Sequence, residues 1–175
     1  MQTPLVRLAR VMGLLCTAAL WIAGAALVLM TAVIAAQVVF RYGLNSSLVW
    51  SEPLAVILMG WFIFLGAAVG IREGYHLSFD ILLAVLPRRG QLVLHAVSDV
   101  VVAAFGCGMV FYGGQLALSA SAMTLPSLGV SAAVDFMPLV GGGVLVVLFC
   151  AERLVRRAAG LPTPRFGDAA ETAEA

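Results

Sequence analysis

Four long apolar segments alternate with short polar ones along the chain of 175 residues. An α-helix rises about 1.5 Å per residue, so about 20 apolar residues are needed to cross a hydrocarbon core of about 30 Å. Each of the four segments reaches that length. The pattern therefore predicts an all-α fold, an integral membrane bundle of four transmembrane helices within residues 1–157. The predicted spans cover about residues 11–40, 52–71, 91–119 and 132–151.

A shorter apolar run, from Leu77 to Leu86, lies between the second and third spans. A run of about ten to fourteen residues is too short to cross the membrane. It suits a short interfacial helix that ends at Pro87, and the alternative left open is an extended base of the second span. Residues 158–175 are rich in Pro and Gly and poor in bulky apolar side chains, so we predict a disordered cytoplasmic tail there.

The distribution of arginine predicts the orientation of the chain. All ten basic residues are arginines, and nine of them lie before the first span, between the second and third, or after the fourth. By the positive-inside rule, both termini and the connection of residues 72–91 should be cytoplasmic, with Arg41 on the other side. With 62% hydrophobic residues and no basic face, the chain is not expected to bind nucleic acid.

Two charged residues flank the first periplasmic connection. Arg41 ends the first span and Glu52 begins the second, so a salt bridge between them is plausible. Ser51 is expected to cap the second helix, where the helix dipole favours Glu52 and where Pro53 costs no backbone hydrogen bond. The alternatives are this cap with an interfacial arginine, or a role for both charges in contacting a partner.

Two further polar residues lie inside the third span. His95 and Asp99 are spaced i, i+4 and share one helix face. A hydrogen-bonded buried polar pair there would lower the free-energy cost of placing both side chains inside the membrane. A proton or ion relay would continue deeper, yet no ionisable residue follows before Asp135. We therefore interpret the pair as structural.

Small residues on the second span indicate a packing face. Gly66 and Gly70 form a GxxxG motif, which lets another helix backbone approach closely, either within the bundle or from a partner. The three cysteines all lie inside apolar spans and lack the spacing of a metal site.

Several function classes require groups that the middle of the spans lacks. Transport sites carry ionisable groups and broken helices near the bilayer centre. Enzymes need a nucleophile with a base, or paired acids, at matching depth. The sequence therefore predicts neither an enzyme nor an autonomous transporter, and no cofactor or metal. An independent small four-helix exporter and a membrane assembly or sensor protein remain the alternatives.

The order of short motifs on the four spans resembles one known family. Over about residues 10 to 155, the chain is similar to the small permease subunits of TRAP transporters, of the DctQ or SiaQ type. One departure is Pro53, where that family commonly has a second acid. The motifs that carry the resemblance are Phe40-Arg41-Tyr42, Trp50-Ser51-Glu52, Arg72-Glu73 followed by His76 and Asp80, and the Thr124 to Val130 connection around Pro126.

The resemblance implies a tripartite transporter of the bacterial inner membrane, driven by a Na⁺ gradient. A periplasmic solute-binding protein would capture an organic acid such as a dicarboxylate or sugar acid. A large permease subunit would bind the substrate and Na⁺, and this chain would scaffold it. Residues expected to have structural roles or to contact a partner or lipid are Arg41, Trp50, Glu52, Gly66, Gly70, Arg72, His76, Asp80 and Pro126.

Overall fold

The computed structural model describes the backbone of residues 4–73 and 88–158, with the side chains of residues 10–73 and 97–156. Four segments in this part are long and apolar enough to cross a membrane, which confirms the predicted all-α, four-span architecture. The predicted interfacial helix lies outside the described residues, as does the tail from residue 159 on. The helices are α1 (Pro4–Gly43), α2 (Ser51–Glu73), α3 (Arg88–Ala120) and α4 (Met137–Ala158).

The helices form a row in the order α1, α2, α4, α3. Helix α1 packs on α2, α2 packs on α4, and α4 packs on α3, whereas α1 barely touches α4. Successive helices run in opposite directions. The N-termini of α1 and α3 therefore lie at the same end of the row as the C-termini of α2 and α4. We call this the charged end, and the opposite end, which carries the α3–α4 connection, the hairpin end. A row leaves two broad apolar faces uncovered within the chain.

Small side chains hold α1 against α2 near the charged end. Five buried residues of α1 recur at alternating spacings of four and three, the period of helices that cross at a shallow angle. The first four of them form one cluster with Leu65, Ala68 and Val69 of α2. The next position in the same register, Met30, is only half-buried, so the close contact ends there. The five residues are Met12, Cys16, Ala19, Ala23 and Ala26.

Glycines bring α4 close to both of its neighbours. A Cβ atom built on Gly142 would lie 2.5 Å from Cβ of Phe64 on α2. A Cβ atom on Gly143 would lie 2.9 Å from Cβ of Met109 and 3.1 Å from the carbonyl oxygen of Gly106, both on α3. In membranes, close backbone approach of this kind supplies the van der Waals contact that associates helices.

The connection between α3 and α4 is a short antiparallel hairpin. Strands β1 (Thr124–Leu125) and β2 (Val130–Ser131) pair in register and lead into a 3₁₀ helix, Ala132–Phe136. The carbonyl of Leu125 accepts hydrogen bonds from the N–H groups of Leu128, at 3.2 Å, and Gly129, at 2.8 Å. Pro126 follows Leu125, where its fixed φ suits the first corner of the turn. This places the predicted residue Pro126 in a structural role.

The turn depends on the backbone of Gly129, whose φ is +68°. Replacing Gly129 with alanine should destabilise the fold by about 1–2 kcal/mol, because a Cβ atom disfavours the left-handed conformation. For a chain of this size that corresponds to a fall in Tm of roughly 2–8 °C. The measurement is thermal unfolding in detergent. Gly43→Ala is the control, since it has open space and an ordinary φ, and an equal fall in both variants would contradict the argument.

Candidate functional site

Charged side chains from three helices meet at the charged end of the row. Three are arginines and three are acids, so their formal charges cancel. Asp99, Glu152 and Arg153 are all more than nine-tenths buried. We call this set the charged cluster, and its members are Arg72, Glu73, Asp99, Glu152, Arg153 and Arg156.

Helices α2 and α4 are joined within the charged cluster by Arg72. Its Nε donates to Oε2 of Glu152 at 3.4 Å, and its guanidinium lies 5.6 Å from the centre of the Phe149 ring. Arg72 also lies beside Glu73, at 3.9 Å, while Arg156 approaches Glu152 from the next turn of α4, at 3.4 Å. A guanidinium over an aromatic face gains a cation–π contribution where water is scarce.

Arg153 connects three helices at once. Its Nε lies 3.4 Å from Oδ1 of Asp99 on α3. Its Nη1 donates to the carbonyl oxygen of Ile71 on α2 at 2.6 Å. The last carbonyls of a helix have no partner inside the helix, and a cation there is favoured by the helix dipole. Arg153 therefore holds α3 and caps the end of α2 from its own position on α4.

Helix α1 reaches the charged cluster through a thiol. The Sγ of the buried Cys16 donates to Oε1 of Glu73 at 4.0 Å. With the two arginine contacts, every neighbouring pair in the row is thus bridged at this end. Leaving one charge of such a buried pair without its partner costs far more free energy than the intact pair contributes to stability. The cluster therefore favours the helix arrangement in which its charges are paired.

The charged cluster has the chemistry of a structural ion-pair network. A Na⁺ site needs several oxygen ligands with spare negative charge, whereas each carboxylate here faces an arginine within 4.0 Å. In the described part of the chain, no group of three or more His, Cys, Asp or Glu side chains is placed to hold a metal ion.

The two charges at the hairpin end are not joined to each other. Arg41 and Glu52 are both exposed, and no ion pair within 4.0 Å links them among the described side chains, so the plausible salt bridge does not form. The prediction for Ser51 is also corrected: its hydroxyl donates to the carbonyl of Leu48 at 2.6 Å. Helix α2 begins instead with the hydrogen bond from the Leu54 N–H to the carbonyl of Trp50.

The GxxxG face of α2 is open within this chain. Among the described residues, Cβ atoms built on Gly66 and Gly70 would meet no atom of another helix within 4 Å. The close contacts of α2 with α4 use Phe64 and Gly142 instead. A contact of Gly66 and Gly70 with another helix of the same chain is therefore not observed, which leaves this face to lipid or a partner.

One family model matches residues 30–160, three quarters of the chain, and its description is "Tripartite ATP-independent periplasmic transporters, DctQ component". The chain belongs to this family. This confirms the resemblance that the motifs predicted. As a DctQ-family chain with four helices long enough to span, it is a multi-pass membrane protein and a transporter component.

Individual relatives agree with the family assignment. A TRAP transporter small permease protein of Haemophilus influenzae is 28% identical over 130 residues, which is 74% of this chain and 80% of the relative. The sialic acid TRAP transporter small permease protein SiaQ of Vibrio cholerae is 28% identical over 123 residues, 70% of this chain and 71% of its own. The C4-dicarboxylate small permease protein DctQ of Pseudomonas aeruginosa is 38% identical over 55 residues, 31% of this chain and 26% of its own.

Sequence reasoning missed most of the charged cluster in this DctQ-family chain. It ended the fourth span at about residue 151 and so left Glu152 and Arg153 in the polar flank, yet both are buried. It sought a partner for Asp99 on the same helix, in His95. The structure places Arg153 against Asp99, while the side chain of His95 lies outside the described residues and the predicted pair stays a prediction. The sequence signal that could have predicted these ion pairs is that acids and arginines recur at the ends of adjacent antiparallel helices.

The remaining predicted residues divide between the two ends. Arg72 belongs to the charged cluster. Trp50 is 43% exposed at the hairpin end, where Arg41 and Glu52 are exposed as well. Aromatic side chains at this level are typical of the membrane–water interface. His76 and Asp80 lie outside the described residues, so their expected structural role or contact with a partner or lipid stays a prediction.

Proposed function

We propose that this DctQ-family chain scaffolds a large permease subunit in the bacterial inner membrane, for Na⁺-coupled uptake of an organic acid. A periplasmic solute-binding protein would deliver the substrate. Both termini would be cytoplasmic, as the arginine distribution predicts. The names of the relatives mention C4-dicarboxylates and sialic acid, which supports a carboxylate as the substrate class.

The observation that carries the proposal is the location of the charged side chains. Within the described spans, the carboxylates and guanidiniums that are buried all belong to the charged cluster at one end. The middle of the row is built from aliphatic, aromatic and glycine residues. A subunit that itself carried Na⁺ and a carboxylate would need polar ligands near the bilayer centre. The chain therefore acts through another polypeptide.

A longer relative supports a large permease as that polypeptide. The sialic acid TRAP transporter permease protein SiaT of Haemophilus influenzae is 30% identical over 69 residues, which is 39% of this chain and 11% of the relative. A segment like this chain thus occurs within a permease of much greater length. We propose that the same association is made here between separate chains.

Reconstitution tests the proposed function. The chain is co-expressed with a large TRAP permease, co-purified through a tag on the small chain, and placed in liposomes with an inward Na⁺ gradient and a periplasmic binding protein. Uptake of a carboxylate is expected only when all three proteins and the gradient are present. Accumulation of any solute by this chain alone would contradict the proposal and favour an independent exporter. Full uptake without this chain would contradict it as well.

The open GxxxG face gives a second, sharper test of the contact with the large subunit. Replacing both Gly66 and Gly70 with leucine should leave the isolated chain folded, because a Cβ atom at either position meets no described atom of another helix within 4 Å. The same variant should lose co-purification with the large permease, since close backbone approach needs small residues. Gly24→Leu is the control: Gly24 is also open, but lies on α1. Unchanged co-purification of the double variant would place the large subunit elsewhere.

A further inference from the structure

Helices α1 and α2 separate toward the hairpin end and leave an apolar groove between them. The groove has a volume of about 410 Å³. It begins where the buried small residues of α1 end, after Ala26. Its walls are Met30, Thr31 and Ile34 of α1, and Val56 and Met59 of α2, and Glu52 lines it nearest the hairpin end.

The groove lies within one membrane leaflet. Its lining runs from Glu52 to Met59 on α2, roughly 10 Å of helix, and from Met30 to Ile34 on α1, roughly 6 Å. Half of a hydrocarbon core is about 15 Å. A transmembrane helix of a partner would require a groove along the full thickness, whereas below Met30 the two helices are closed against each other by Ala23 and Ala26. The length of the groove therefore suits part of an acyl chain from one leaflet.

Two opposite charges lie at the hairpin end of the two helices that form the groove. Glu52 belongs to the helix face of Val56 and Met59, by spacings of four and seven residues, and Arg41 lies seven residues beyond Ile34 on the corresponding face of α1. Both side chains are exposed, and neither forms an ion pair or hydrogen bond with a described residue. The exposed rings of Tyr42 and Trp50 mark this level as that of the headgroups.

We propose that the groove binds a phospholipid with a primary ammonium headgroup, such as phosphatidylethanolamine. Its ammonium group donates to the Glu52 carboxylate, its phosphate accepts from the Arg41 guanidinium, and one acyl chain fills the groove between α1 and α2. This headgroup is selected because it offers an ammonium donor to a carboxylate and a phosphate acceptor to a guanidinium, both in charge-assisted hydrogen bonds. A choline headgroup has no N–H donor for Glu52, and a glycerol headgroup has no cation. The site lies on this chain alone and does not depend on the proposed function.

Native mass spectrometry of the delipidated chain tests the headgroup. The chain is titrated in detergent with phosphatidylethanolamine, phosphatidylcholine or phosphatidylglycerol of identical acyl chains. Phosphatidylethanolamine is expected to bind most tightly, and Glu52→Gln should weaken it roughly fivefold, the upper end for an exposed ion pair. Asp135→Asn is the matched control, because Asp135 is an exposed acid at the same end but not in the groove. Equal binding of the three lipids, or equal effects of the two variants, would overturn the proposal.

A pair of threonine variants tests the groove itself. Thr31 lines the groove, whereas Thr17 lies exposed on the same helix two heptads away, and each hydroxyl donates to the carbonyl four residues before it. Thr31→Phe should reduce the number of bound phosphatidylethanolamine molecules by one, while Thr17→Phe should leave it unchanged. If a cysteine placed at Met59 cross-links to a helix of the large permease in the assembled transporter, the occupant is a protein and the lipid proposal is wrong.

Discussion

Arg153→Met is expected to destabilise the folded chain by about 3–5 kcal/mol, the usual cost of removing one partner from a buried ion pair. Arg153 is 6% exposed, lies 3.4 Å from Asp99 and donates to the carbonyl of Ile71. Its loss leaves three acids with two arginines in the charged cluster. The effect is measured as thermal unfolding of the purified chain in detergent and as the yield of monodisperse protein. Arg10→Met is the control, because Arg10 is exposed.

The double variant Asp99→Leu with Arg153→Met separates charge from packing. Replacing a buried pair by apolar side chains of similar volume is often nearly neutral, whereas removing one partner is not. We expect the double variant to be more stable than Arg153→Met alone, with a remaining deficit from the lost hydrogen bond to Ile71. If the two single effects simply add, Asp99 and Arg153 do not interact in the folded chain.

Gly142→Ala is expected to destabilise the contact between α2 and α4 by about 1–3 kcal/mol, as overpacking of a close interface does. The new Cβ atom would lie 2.5 Å from Cβ of Phe64 and 3.1 Å from its carbonyl oxygen. Two carbon atoms prefer a separation of about 3.5–4.0 Å. Because the second of these atoms belongs to the backbone of α2, a side-chain rotation cannot relieve the contact and the helices must move apart.

The matched control for Gly142→Ala is Gly108→Ala. A Cβ atom at Gly108 would meet nothing within 4 Å, and alanine has a higher helix propensity than glycine, so this variant should be neutral or slightly stabilising. Thermal unfolding in the same detergent compares the two. A loss of stability in Gly108→Ala as large as in Gly142→Ala would show that helix propensity or detergent, not the contact with Phe64, governs the result.

The two groups of predictions depend on different features of the row. The charged cluster joins α2, α3 and α4 at one end, and Cys16 links α1 to it. Gly142 and its neighbours close the α2–α4 and α4–α3 interfaces through van der Waals contact. The α1–α2 interface has small residues near the charged end and opens into the groove near the hairpin end. Among the four described spans, α1 has the smallest buried share and so offers the most surface to lipid or a partner.

Local hydropathy was sufficient to predict the four spans. A stretch of apolar residues long enough to cross the bilayer must become a helix, because only a helix satisfies its own backbone groups in hydrocarbon. The order of short motifs on those spans was also sufficient to predict the family, which the DctQ model confirms over residues 30–160. Both properties are carried by neighbours in sequence, so the amino-acid sequence by itself determined them.

Tertiary structure alone decided which groups meet between helices. Residues on one helix are related by a known period, and from that period His95 was predicted to pair with Asp99. Arg153, the residue that the structure places against Asp99, is 54 positions away and on another helix. The row order, the open face at Gly66 and Gly70, and the groove beside Glu52 arise in the same way. Each depends on how helices are arranged beside one another, and the period within a single helix does not encode that arrangement.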